Sequence, residues 1–403
     1  MSRFARARTA LFACPLAMLA LAGCGGPGDA GDAAQLAPAR SVAFVQLERG
    51  PALTRAETLL DHVSPVPAAL RTALARSGAP GGTGRIELAA VPIGGGVAWL
   101  AYLPGKPKGL PTDVAHRRVR GWTVVAPSQT DLDAARASKR HLADDPRFHT
   151  LPSGLAAVFV RTAGARLLRL PRLPGTRWAT VALARDRLTV RQAAPPAAAM
   201  HPTTAAAAVD DRTAVAAGAG AWSPAAGVLP ALAGAYGVDA KALGRDLPAG
   251  SVVALRPGTL LPELTLAGES PHPETTARKL ALVLTRGQGS VESTVDAGVP
   301  IVAYVLGAAE VDTGSWGSRF AVSTGLSGLL AAHAAAGDLG LPARSEGWLY
   351  VDAARARAVA PAIDTLAGGH RARDAVARLG PIARLLAWRT RERGVETTVW
   401  EAS

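Results

Sequence analysis

Cysteine is nearly absent. The 403 residues hold two, Cys14 and Cys24, and Cys14 falls inside an N-terminal segment that reads as an export signal. A disulfide within the mature body, a cysteine nucleophile and a Cys-ligated zinc or iron–sulfur centre are thereby excluded. Aromatic residues make up only 4% of the chain, so helices must pack closely through alanine and leucine. Lysine is confined to Lys106, Lys108, Lys139, Lys241 and Lys279, so arginine carries the net charge of +13. Those arginines are scattered, which describes a generally basic surface rather than a dedicated polyanion site. No apolar run reaches the roughly 20 residues a membrane-spanning helix needs. The eight histidines show no HxH, HxxxH or HExxH spacing, and no G-x-S-x-G elbow, phosphate-binding G-K-[ST] or EF-hand loop occurs. The nearest approach to an elbow, Gly325-Leu326-Ser327-Gly328, reads as a helix start. The paired carboxylates Asp144/Asp145 and Asp210/Asp211 read as solvated turns. No catalytic residue, metal ligand or cofactor site is predicted.

What is present begins with an address. Arg3, Arg6 and Arg8 precede a mostly apolar stretch, residues 9–22, that ends in Leu21-Ala22-Gly23-Cys24. A basic start, a short apolar core and a small-residue end describe a secretory signal. Its last four residues resemble the lipobox of bacterial lipoproteins, which implies cleavage between Gly23 and Cys24 and diacylation of the Cys24 thiol. Two acyl chains suffice for stable anchoring. Residues 24–40 then read as the lipidated cysteine and a Gly/Ala/Asp/Pro tether.

The body reads as α+β: repeated strand-turn-helix units with mainly antiparallel sheets packed against helices. Residues 41–193 form a first unit and 212–403 a second, with the low-complexity stretch 194–211 as linker or insertion. Ser41–Leu47 is a strand; Thr54–Val63 and Pro67–Ser77 have helical spacing; Arg85–Val91 and Gly96–Leu103 make a hairpin. In the second unit, strands at 214–217, 251–255, 299–306, 319–323 and 347–352 alternate with helices at 224–236, 273–284, 326–336 and 354–367. A hairpin at 382–389 and 395–400 closes the chain.

The stretch from Gly121, GWTVVAPSQTDLDAARAS, is echoed from Ser318 by SRFAVSTGLSGLLAAHAA. In each, an aromatic opens a strand, a small polar turn follows, and an Ala/Leu helix leads to a further strand. Internal duplication explains this; chance likeness in an Ala-rich chain is the rival. The Ser41 strand, residues 121–160 and the terminal LLAWRTRERGVETTVW resemble the domain-of-unknown-function 3352 family, exported or membrane-tethered proteins chiefly of actinobacteria. That resemblance implies a repetitive α/β body outside the cytoplasmic membrane and supplies no catalytic residues.

Eight of the eighteen aromatics are tryptophan. Trp99, Trp122, Trp178, Trp348 and Trp388 fall on predicted strands, where they either pack the core or line an aromatic groove for an apolar or glycan ligand. Three functional readings follow. The first is a non-enzymatic, lipid-anchored binding or scaffolding protein at the outer face of the cytoplasmic membrane. The second is a lipid or lipoglycan carrier with an apolar cavity, and the third a hydrolase with a dispersed site. The expected partners are the membrane, through the diacylglyceryl anchor, and an anionic lipid or envelope polymer, with no nucleic acid.

Overall fold

A computed structural model describes residues 33–403 except 137, 146–147, 149–153, 169–177, 194–208, 219–233, 235, 260, 308, 335–338 and 343–344. The signal, the lipobox, the low-complexity stretch 194–208 and most of the helix expected at 224–236 lie outside the described residues.

The first half carries strands β1 (Ala43–Arg49), β2 (Gly84–Ile93), β3 (Gly96–Pro104), β4 (Ala115–Val119), β5 (Trp122–Ala126), β6 (Ala156–Arg161), β7 (Trp178–Leu183) and β8 (Arg187–Ala193). The second carries β9 (Val215–Gly218), β10 (Val252–Arg256), β11 (Glu263–Glu269), β12 (Ser290–Asp296), β13 (Val299–Leu306), β14 (Ala309–Trp316), β15 (Arg319–Ser323), β16 (Ser345–Asp352), β17 (Arg384–Glu392) and β18 (Val395–Ala402). The described helices are α1 (Pro51–Leu60), α2 (Val66–Arg76), α3 (Gln129–Arg136), α4 (Ala240–Asp246), α5 (Pro273–Thr285), α6 (Leu326–His333), α7 (Ala353–Ala367) and α8 (Arg371–Ala377). None is long and apolar enough to cross a membrane.

The fold is α+β, with one extended antiparallel sheet packed against helices. Following the pairings from edge to edge, the order in the first half is β4-β5-β3-β2-β1-β6-β7-β8. β8 pairs with β18, and the second half then runs β18-β17-β16-β9-β10-β11-β15-β14-β13-β12. Read outward from this seam, the two halves have the same strand order, each strand matched to its counterpart in the chain, with the β12–β13 hairpin added at the far edge of the second. Both copies of the echoed stretch occupy equivalent places: β5 and β15 each lie between two antiparallel neighbours, and α3 and α6 each lead from there to β6 and β16.

Both faces of the sheet are covered at β1, which is why residues 42–45 form a continuous apolar run. Val45 and Leu47 face α1 and α2, where Leu53, Ala56, Leu60, Ala69, Leu70 and Ala73 pack. Phe44 points the other way and meets Phe148, Phe159 and Leu132 of α3; the Phe44 and Phe148 rings meet edge to face at 5.2 Å. Burying each such side chain contributes about 1.5–3 kcal/mol. In the second half, α5 covers one face through Ala277, Leu280 and Ala281, and α6 covers the other through Leu329 and Ala332.

The tether expected over residues 24–40 is shorter than its composition suggests. Ala33, Ala34 and Ala37 are fully buried against the α3 face. The Ala39 amide donates to the Arg140 carbonyl at 3.0 Å, and the Leu142 amide to that of Ala37 at 2.8 Å. Small alanines allow this backbone to lie directly on the body, so the chain is already part of the fold at residue 33.

Candidate functional site

A polar tract interrupts the core of the second half beneath the start of α6. Alternation along the strands builds it. Leu264, Val311 and Val322 face α5, so Glu263, Thr265, Glu310, Asp312 and Ser323 fall on the opposite face. The register sets Thr265 opposite Ser323, and Ser323 opposite Asp312. Arg256, at the end of β10 and fully buried, lies opposite Glu263.

Three hydrogen bonds run in series, from Asp210 through Arg256 and Thr265 to Ser323, and a fourth lies beside them. Arg256 Nε donates to Asp210 Oδ1 at 3.1 Å and Nη1 to Thr265 Oγ1 at 2.9 Å. Thr265 and Ser323 share a hydrogen bond at 3.0 Å between their hydroxyls. Ser327 Oγ, on the first turn of α6, donates to Glu263 Oε2 at 2.5 Å. Gly325 is the N-cap of α6 in extended backbone, so the Gly325–Gly328 stretch is the helix start its sequence predicts. Asp210 departs from the solvated turn expected of it, because its carboxylate pairs with a buried guanidinium. Burial opposes its ionisation, but the Thr213 hydroxyl, Arg256 and the Arg212 amide outweigh burial and hold it below the usual carboxylate range.

Beside this tract, at one end of the strands, is a cavity of about 380 Å³. Glu263, Glu310 and Asp312 line it together with Tyr236 and aliphatic side chains that include Leu284 and Leu326, and no lysine or arginine is among its described lining residues. Asp312 is pushed up to about 7, first by burial, then by its hydrogen bond to Glu310 and the charges of Glu310 and Glu263. Tyr236 donates its hydroxyl to the Pro262 carbonyl, and burial pushes it up to about 12. Leu306, the last residue of β13, also lines the cavity, so the hairpin unmatched in the first half supplies part of the wall.

The five tryptophans do not converge. Trp99 packs beneath α1 and α2. Trp122 and half-buried Trp178 belong to the α3 face. Trp348 and Trp388 stand opposite each other on β16 and β17 in the α6-side core. None lines the cavity just described or the smaller one beneath α3; their place is in the packing. Among the described residues no three His, Cys, Asp or Glu side chains come together in a way that could hold a metal ion. The tract itself was not legible in sequence. Arg256, Glu263, Thr265, Asp312 and Ser323 are spread over four strands, only Glu263 and Thr265 sharing one, and the one other local signal was the glycine pair flanking Ser327.

No protein-family model matches the chain, and no curated protein matches it. The resemblance to the domain-of-unknown-function 3352 family therefore rests on the quoted stretches alone. Among solved structures, crystal form I of TP0453 is similar at 10% identity, with a TM-score of 0.24, over 43% of this chain and 82% of that one. A likeness at that level carries no argument about function.

Proposed function

We propose that this chain is an envelope lipoprotein with a non-enzymatic binding role. Diacylated Cys24 holds it at the outer face of the cytoplasmic membrane, and the second-half cavity takes a small amphipathic cation. One observation carries the binding reading. In a chain with 44 basic against 31 acidic residues, the described lining of this cavity holds three carboxyl side chains and no basic one. A bound ammonium or guanidinium offsets the burial and the neighbouring negative charges that raise Asp312, and its apolar part meets Leu284, Leu306 and Leu326. A volume of about 380 Å³ sits at the small end of ligand cavities, which run from about 300 to 1,000 Å³. This favours a small molecule over the acyl chains of a lipid carrier. The hydrolase reading has less support: Ser327 is bonded to Glu263 rather than to a histidine.

Calorimetric titration with hexylammonium tests the reading. Saturable binding is expected to tighten up to about tenfold from pH 6 to pH 8 as Asp312 ionises, and to disappear in Asp312→Asn. Binding that ignores both the pH and the substitution, or no saturable binding at all, refutes it.

A further inference from the structure

The cavity beneath α3 has a different chemistry. Its volume is about 210 Å³, with Leu36, Val124 and Leu132 in its apolar lining and Arg117, Arg136 and His141 among its polar residues. None of its described lining residues is acidic. Arg117 and Arg136 are exposed, and neither forms an ion pair among the described residues. Of the carboxylates nearby in the chain, Asp113 is exposed and four others are engaged locally. Asp131 accepts from Ser128, Asp133 from Gln129, Asp144 from the His141 amide, and Asp145 pairs with Arg161. More exposed cations border the site: Arg40, which donates to the Ala134 carbonyl of α3 at 2.9 Å, Lys139 and Arg140. Cations on an outer strand such as β4 also deter edge-to-edge association, but that accounts for Arg117 and Arg118 and not for Arg136, Lys139 or Arg140.

The same site is where the chain enters the body. Leu36 lines the cavity, and Pro38 bridges to His141. Cys24 lies nine residues before Ala33, so an acyl anchor there is at most about 30 Å of extended chain from this surface. A tether of that length keeps the β4–α3 end within reach of the bilayer.

We propose that this cavity and its basic rim dock on an anionic phospholipid headgroup of the anchoring membrane. The headgroup phosphate sits between Arg117 and Arg136, and the glycerol region meets the apolar floor. The proposal rests on the lipid-anchor reading for its source of membrane, and its test is separate from that of the anchor.

Residues 24–403 carrying Cys24→Ser retain every described residue and cannot be acylated. They are sedimented with vesicles of phosphatidylcholine alone or with one-third phosphatidylglycerol. Binding is expected to the anionic vesicles only and to fall steeply with salt. Arg117→Gln, Arg136→Gln and Arg140→Gln together should lower the partition coefficient about a hundredfold, near fivefold per cation. The same change at Lys241, Arg278 and Arg371, exposed on second-half helices, should alter it by less than about fivefold. Equal binding to both vesicle types, equal losses in both triple variants, or displacement by 10 mM inorganic phosphate (roughly ten times the millimolar scale of weak binding) would overturn the proposal. Fractionation of cells making the full chain with Cys24→Ser tests the anchor alone: persistence in the membrane pellet at high salt refutes acylation and leaves the vesicle result to stand by itself.

Discussion

At Gly328 the fold leaves no room for a side chain. A Cβ there would lie 2.3 Å from Thr265 Oγ1, 2.4 Å from Ser323 Oγ and 3.4 Å from Arg256 Nη1, none of which can move without breaking the buried series. Gly328→Ala should therefore cost about 1–3 kcal/mol, read as a lower urea midpoint with unchanged slope. Asp312 makes a second prediction at this scale. Its folded pKa is raised to about 7, so between the ordinary carboxylate range and pH 7 the folded state holds a proton the unfolded chain has lost. Stability contributed by this group is full at low pH and declines as pH rises through that window. Asp210 and Asp364, both held low, act oppositely, losing stability as pH falls below the usual carboxylate range. Comparing melting temperatures of the native chain and Asp312→Asn from pH 5 to pH 8 isolates the effect: the variant should lack the decline. A parallel decline in both would assign it elsewhere.

At the scale of elements, legibility followed the chemistry of each face. The hairpin of β2 and β3, α5, α7 and the closing pair β17–β18 were evident because apolar periodicity and turn residues coincide there. The Arg393-Gly394 turn has both residues at positive φ, 47° and 75°, the geometry a two-residue hairpin favours. β11, β12 and β14 were not evident. β14 buries Asp312 and Thr313 beside Val311, so polar side chains break its apolar signal, and β12 is exposed along nearly its whole length. β18 has a consequence beyond its own residues. It lies between β17 and β8, and the Arg187–Glu401 ion pair and the Gln192–Glu396 hydrogen bond cross from it to the first half. Deleting residues 395–403 should leave both β8 and β17 with open edges and remove the seam. The expected outcome is loss of soluble, cooperatively unfolding protein, checked by circular dichroism melting; a truncated chain that melts like the native one would contradict the seam's role.

At the scale of the whole molecule, the matching strand orders on either side of the seam favour internal duplication over chance likeness in an Ala-rich chain. The halves have nevertheless diverged where ligands could be held. The first carries a basic cavity beside the chain's entry, and the second an acidic cavity partly walled by its extra hairpin. The sequence by itself determined the α+β class and the echo between the halves, because each depends on local composition or periodicity. Tertiary structure alone decided that the sheet is continuous, that the tryptophans separate into distinct cores, that residues 33–40 belong to the body, and that five dispersed polar residues meet beneath α6. Those outcomes depend on which strands pair and in what register, and pairing between distant strands leaves no signature in the spacing of either one.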